Sequence, residues 1–227
     1  MNSATTLNLT SPSLTVAELV RAQPAAVRIL QRYQIDFCCG GKKPLQQACA
    51  EVGVVTADLL AEVAAASHVV TLNWTSLPPR ALCDTIEHRF HAPLADELPR
   101  LQAMAQRVLL VHGAKDPERL EGLAETVDAL IAELVPHLRE EEAQLFPLIR
   151  DGQRAQAAAL VAQLEAAHET VGGLLKQLRH LTDGFVPPLG ACGTWRALYQ
   201  GLGELEAETH EHVHVENNVL FATLTDA

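Results

Sequence analysis

Two stretches of the chain repeat the same residues in the same order. His137-Leu-Arg-Glu-Glu141-Glu-Ala-Gln-Leu145-Phe146 and His212-Val-His-Val-Glu216-Asn-Asn-Val-Leu220-Phe221 carry His, Glu, Leu and Phe in register, 75 positions apart. In a helix, positions i and i+4 share a face, one turn apart, so each copy aims an imidazole and a carboxylate the same way. Imidazole nitrogen with carboxylate oxygen suits iron, manganese or zinc. Two such pairs facing each other can hold two metals with the carboxylates as bridges, and facing helices of a bundle are where such sites are built. A single His-x3-Glu pair is an ordinary feature of a solvated helix. Two copies in register, each followed by Leu-Phe, argue for ligands.

Such pairs need long helices to carry them, and the second part of the chain supplies four. Helical patterning covers about 80–112, 118–150, 154–182 and 194–222, with Thr194 as the cap of the last. The breaks fall at Gly113–Pro117, Asp151-Gly152, and Asp183-Gly184 with Pro187-Pro188 beyond. Short connections imply antiparallel neighbours, hence an up-down-up-down bundle. Residues equally far from a shared turn then lie at one level. His137 is 22 residues past Lys115, and counting back 22–24 residues reaches 91–93, where His91 stands. At 1.5 Å per residue that level is about 30 Å from the turn. Glu141 lies 11 residues before Gly152 and His168 lies 16 after it, within about two turns of each other. His212 fits more loosely because its preceding loop is longer. One level therefore collects His91, His137, Glu141, His168, His212 and Glu216. Each metal would take two histidines and one oxygen from each carboxylate. So many imidazoles favour iron that binds or releases something over oxidation chemistry. His112, about 31 Å along the rod from His91, joins only if Pro93 and Pro99 break that helix and turn it back. His88, His210 and His214 fall on adjacent faces, near the ligands or at the surface. Cys83 and Cys192 read as buried small residues.

The first 66 residues read as a small helical module. Thr15 caps a helix bearing Val16, Leu19 and Val20, Pro24 opens a second that ends near Tyr33, and shorter helices follow near Leu45–Glu51 and, capped by Thr56, Ala57–Ala66. Between them stands Asp36-Phe-Cys38-Cys39-Gly40-Gly41-Lys42-Lys43. Adjacent thiols beside two lysines can have lowered pKa values and act as nucleophiles or metal ligands; equally they can pack as small apolar residues under a loop. Ser67–Pro79 reads as a linker, with His68–Trp74 the only extended-looking piece, so the domains expected are 1–66, a linker 67–79, and 80–227. A 66-residue module is small for an independent core, which makes docking or a homodimer reasonable.

Composition excludes several classes. Ala and Leu dominate and aromatic residues are only 4%, as in packed helices and not sheets. The net charge is −11, with no Lys/Arg cluster longer than two, which argues against nucleic acid. No apolar run reaches a membrane span, and the N-terminus lacks the basic start and apolar core of a signal peptide. Five cysteines fit a reduced compartment, and together these point to the cytoplasm.

These motifs resemble one family over nearly the whole chain. Asp36-Phe-Cys38-Cys39-Gly40-Gly41-Lys42 is similar to the N-terminal signature of the iron–sulfur cluster repair proteins, the RIC (repair of iron centres) or ScdA/YtfE family. Arg89-Phe-His91, Leu98-Pro99-Arg-Leu101, Val111-His112, His137-x3-Glu141 with Leu145-Phe146-Pro147, Glu165-x2-His168 and His212-x3-Glu216 resemble the run of its hemerythrin-like bundle, in order. The resemblance implies a cytoplasmic non-haem di-iron protein that serves under nitrosative and oxidative stress. It would restore damaged or apo iron–sulfur proteins by donating iron, with the six residues above as ligands and Cys38 and Cys39 assisting iron or electron transfer. It is not expected to be an ordinary enzyme. The alternative it implies is a di-iron protein that binds nitric oxide as a buffer or sensor, or reduces it weakly.

Overall fold

The computed structural model describes residues 11, 13–66 and 74–225. The described residues form helices joined by loops, with no strand among them, as expected, and the sole extended pairing among them is an isolated bridge between Thr15 and Pro44. The stretch 68–73 and the start of the linker lie outside the described residues; Trp74 opens a short 3-10 turn, Trp74–Ser76. Contacts divide the chain into two compact units, one from Met1–Pro78 together with Val213–Asp226, the other Pro79–His212.

The first unit holds helices α1 (Val16–Ala22), α2 (Ala26–Arg32), α3 (Leu45–Glu51) and α4 (Thr56–Ala66). Thr15 caps α1 reciprocally. The Glu18 N–H donates to the Thr15 hydroxyl at 3.2 Å, and the Thr15 N–H donates to the Glu18 carboxylate at 2.8 Å. Thr56 is the first residue of α4 and not its cap; the turn is closed instead by the Asp58 N–H on the Val55 carbonyl at 3.1 Å. Backbone bonds Val16 N–H to Lys43 O (3.0 Å) and Leu45 N–H to Leu14 O (2.7 Å) join the start of α1 to the start of α3. This anchors the C-terminal end of the cysteine loop to the start of α1. Leu19, Leu30, Phe37, Leu45 and Leu59 pack as its core. The C-terminal part of the unit is the end of α10, a π turn and α11 (Ala222–Thr225).

The second unit is built of rods. The first is α5 (Pro79–Ile86), a π turn (Glu87–His91) and α6 (Ala92–His112); the second is α7 (Pro117–Glu140), a π turn (Glu141–Leu145) and α8 (Phe146–Arg150). The third is the uninterrupted α9 (Arg154–Leu181), and the fourth α10 (Gly193–Val215), which begins one residue before Thr194 and runs into a π turn (Glu216–Leu220). So three of the four expected straight rods contain a π turn. Each is closed by an i to i+5 bond: Ala92 N–H to Glu87 O, Phe146 N–H to Glu141 O and Phe221 N–H to Glu216 O. The widened turns explain two prolines. A proline lacks an N–H and crowds the carbonyl four residues back. For Pro93 and Pro147 that carbonyl belongs to Arg89 and Ala143, inside a π turn. The first rod does not double back, and α6 continues through Pro99 to His112.

Leu101, Leu120, Leu130, Leu175, Leu198 and Leu202 form the bundle core with residues of all four rods. Where the first and fourth rods pass, a Cβ on Gly201 would sit 2.7 Å from the Leu101 side chain, so glycine permits the close approach. His91 meets His212 while His112 meets Cys192, which fixes these two rods as antiparallel.

The small first unit has few large core residues, so each matters more. Leu30→Ala, at a position with no exposed surface, should cost about 2–5 kcal/mol. A lowered denaturant midpoint, absent in the surface variant Val55→Ala, checks this.

Candidate metal centre

The histidines and the first carboxylate predicted from sequence meet inside the second unit. The π turn Glu87–His91 delivers His91, α7 delivers His137, Glu141 begins the next π turn, α9 delivers His168 and α10 delivers His212. All five are buried, and Glu141 has no exposed surface. The imidazoles form two pairs. His91 Nε2 is 3.0 Å from His212 Nε2, and His137 Nε2 is 2.8 Å from His168 Nε2. In both pairs the same ring nitrogen faces inward. Two ligands about 2.1 Å from one cation and at right angles stand about 3 Å apart, so each pair is spaced as cation ligands are.

Glu141 lies between the pairs, and its two oxygens are divided. Oε2 is 3.6 Å from His91 Nε2, whereas Oε1 is 3.5 Å from His137 Nε2 and 3.9 Å from His168 Nε2. The ligand atoms of His91, Glu141 and His212 lie within 4.8 Å of one another, as do those of His137, Glu141 and His168. Glu216 stands four residues after His212, at the start of the last π turn. It is fully buried, and helical spacing sets it on the His212 face.

Neighbours fix the rings. Phe146 stacks on His91 at 5.7 Å and Phe90 on His212 at 5.0 Å. The Phe of the first repeat therefore backs a ligand contributed by another rod. Glu142 Oε1 takes the His91 Nδ1–H at 2.9 Å, which directs the Nε2 lone pair inward. Sequence reading passed over Glu142, although the acidic run after His137 carried the signal. It also placed His214 only near the ligands or at the surface. His214 is buried, its Nδ1 is 3.1 Å from the Phe37 carbonyl, and burial pushes its pKa down to about 4 against that bond. His112 is not in the group. It bonds the half-buried Cys192 at 3.3 Å and packs on Trp195 at the other end of the bundle. Cys83 is buried, as expected, and its thiol is pushed up to about 12 by desolvation.

Of the two readings open for the cysteine loop, Cys38 fits the packed one: it is buried and its pKa is raised. Its contact with the Cys39 sulfur at 3.9 Å acts first, then burial and the Asp36 carboxylate. Asp36 Oδ1 accepts from the N–H groups of Cys38 (3.2 Å) and Cys39 (3.0 Å) and from the Cys38 thiol (3.3 Å). Lys43, which on the other reading would favour a thiolate, pairs with Glu51 at 2.6 Å.

Comparison with known proteins gives two family matches. The family described as "Hemerythrin HHE cation binding domain" matches residues 85–224, and ScdA_N, described as a domain of unknown function, matches residues 13–67. Among curated relatives, the iron-sulfur cluster repair protein YtfE of Edwardsiella ictaluri is 41% identical over 210 residues, spanning 91% of this chain and 94% of that one. The protein of the same name from Yersinia pseudotuberculosis is 38% identical over 205 residues, spanning 89% and 92%.

The Glu142 contact generates a prediction. Removing the partner of a metal-ligating imidazole typically weakens metal affinity about 10–100-fold. Glu142→Ala should do so in a titration of the metal-free protein with ferrous or cobaltous ion. Glu142 is half exposed, so helicity by circular dichroism should not change.

Proposed function

The chain belongs to the hemerythrin-like family of iron–sulfur cluster repair proteins, and from that premise we propose that it is a cytoplasmic di-iron protein that restores damaged iron–sulfur clusters by donating iron. The observation that carries the two-metal reading is the division of the Glu141 carboxylate between two imidazole pairs. His91 and His212 with Oε2 make one donor set; His137 and His168 with Oε1 make the other. Glu216 repeats the His137–Glu141 relation on the fourth rod and supplies the second carboxylate. This nitrogen and oxygen set fits iron. Bound there, iron is both redox-active and available as cargo.

The residues favour holding iron without locking it in. No thiolate enters the set, and neutral imidazoles and carboxylates accept protons in competition with metal. Phe90, Phe146 and Glu142 keep the rings aimed inward, so the site is preorganised. The described residues include no helix long and apolar enough to cross a membrane, which agrees with a role among soluble clients. Cys38, protonated and buried at rest, acts in hand-off only when its loop opens.

Elemental analysis of protein made in iron-replete cells should find about two irons per chain, the number of donor sets, and sharply less in Glu141→Ala. Iron absent from the natural protein would end this reading. In a second assay, the loaded protein is mixed with a cluster protein inactivated by nitric oxide, and recovery of the client's activity is followed. The natural protein should restore it and Glu141→Ala should not. Cys38→Ser with Cys39→Ser should leave iron content unchanged and slow the recovery; an unchanged rate would remove the cysteines from the transfer.

A further inference from the structure

The turn that presents Glu216 is fastened on both sides of that residue to the cysteine loop. His214, two residues before Glu216, places Nδ1 3.1 Å from the Phe37 carbonyl. Asn218, two residues after it, donates from Nδ2 to the Cys38 carbonyl at 3.0 Å and lies 3.4 Å from that of Phe37. Both side chains are buried. Phe37 packs its ring against His214 at 5.7 Å. Gly41 closes the loop beneath them: a Cβ there would stand 2.7 Å from Asn218 Oδ1 and 3.0 Å from the Ala17 side chain. Arg21 of α1 reaches the Asn218 carbonyl at 3.4 Å. The loop carrying the thiols and the turn carrying the carboxylate are therefore bonded through the same two residues.

These bonds do work that packing alone does not. A buried backbone carbonyl must find a donor, and those of Phe37 and Cys38 find theirs on His214 and Asn218. Moving the loop outward leaves both carbonyls and both side chains without these partners, and a buried polar group left unpaired is penalised by its lost solvation. Unwinding the π turn has the same consequence, because it carries Asn218 away. The two segments thus hold or open together.

We propose that His214 and Asn218 are positioning residues that tie the Cys38–Cys39 loop to the turn presenting Glu216, so that cation binding through Glu216 and burial of the Cys38 thiol reinforce each other. The inference rests on the di-iron reading for Glu216. Linkage makes the coupling reciprocal: a cation held through Glu216 steadies the turn and keeps the Cys38 thiol covered, and opening of the loop loosens the cation's hold. Iron would then become exchangeable when the thiols become accessible.

The test is thiol labelling with iodoacetamide, resolved residue by residue by mass spectrometry, on full-length protein with and without ferrous ion, with metal content measured in each sample. Cys38 should label on the order of tenfold more slowly in the loaded natural protein than in the metal-free one. In Asn218→Ala that ratio should fall towards one at saturating iron. Gly41→Ala, which disturbs the contact from the loop side and alters no ligand, should speed loss of iron to a chelator by a similar factor. Iron bound to the natural protein with equal Cys38 labelling in both states would overturn the coupling and leave the di-iron reading intact, as would an unchanged iron-loss rate in Gly41→Ala. No iron bound by the natural protein would end both.

Discussion

The bundle is arranged around a carboxylate with no exposed surface. Glu141 sits among imidazoles with its oxygens turned to different pairs. Withdrawing a carboxylate from water costs several kcal/mol even after relaxation, and buried charge persists where it is paired or coordinates metal. Four imidazoles delivered by four rods answer that requirement only if each rod places its residue at one depth and rotation. The apolar core fixes depth; rotation about each rod is settled locally.

The π turns settle it. One extra residue in a turn rotates everything beyond it by about a third of a circle relative to an α-helix. His91 ends one such turn, and Glu141 and Glu216 each begin one. The turn after Glu141 also swings Phe146 onto the His91 ring, while Pro147 stands where the widened turn tolerates it. The rod that contributes only an imidazole, α9, needs no such turn and has none. Irregularity thus accompanies the rods that carry the carboxylates or seat His91 beside a proline.

What the sequence made legible follows from this division. Repeats at i and i+4 and equal distances from turns are properties of straight helices, so they led to the four imidazole positions and to the bundle. Prolines can break a helix, so the sequence leaves His112 open; the widened turn relieves Pro93 and α6 runs on. Rotation by a π turn leaves no periodic signature, so which oxygen of Glu141 faces which pair was not readable. Glu142 stood in an acidic run whose members look alike until one of them meets His91. The sequence leaves the thiols of Cys38 and Cys39 open between activation by neighbouring lysines and packing under a loop, because proximity in sequence does not fix proximity in space. Lys43 instead spends its charge on Glu51, and burial with Asp36 decides the matter for Cys38 the other way.

The raised Cys38 thiol bears on how sulfur relates to the proposed iron site. A thiol raised by burial and by a carboxylate is a poor resident ligand, since coordination requires the thiolate. Asp36 does two things at once: it caps the N–H groups of both cysteines, which shapes the loop, and it disfavours charge on the adjacent sulfur. A loop so built holds the Cys38 sulfur buried and protonated while closed. Opening it would expose that sulfur to water and relieve the burial that holds the proton, so its strength as a ligand would rise with the same motion. In the proposed repair cycle iron would rest on nitrogen and oxygen and meet sulfur only when the loop opens.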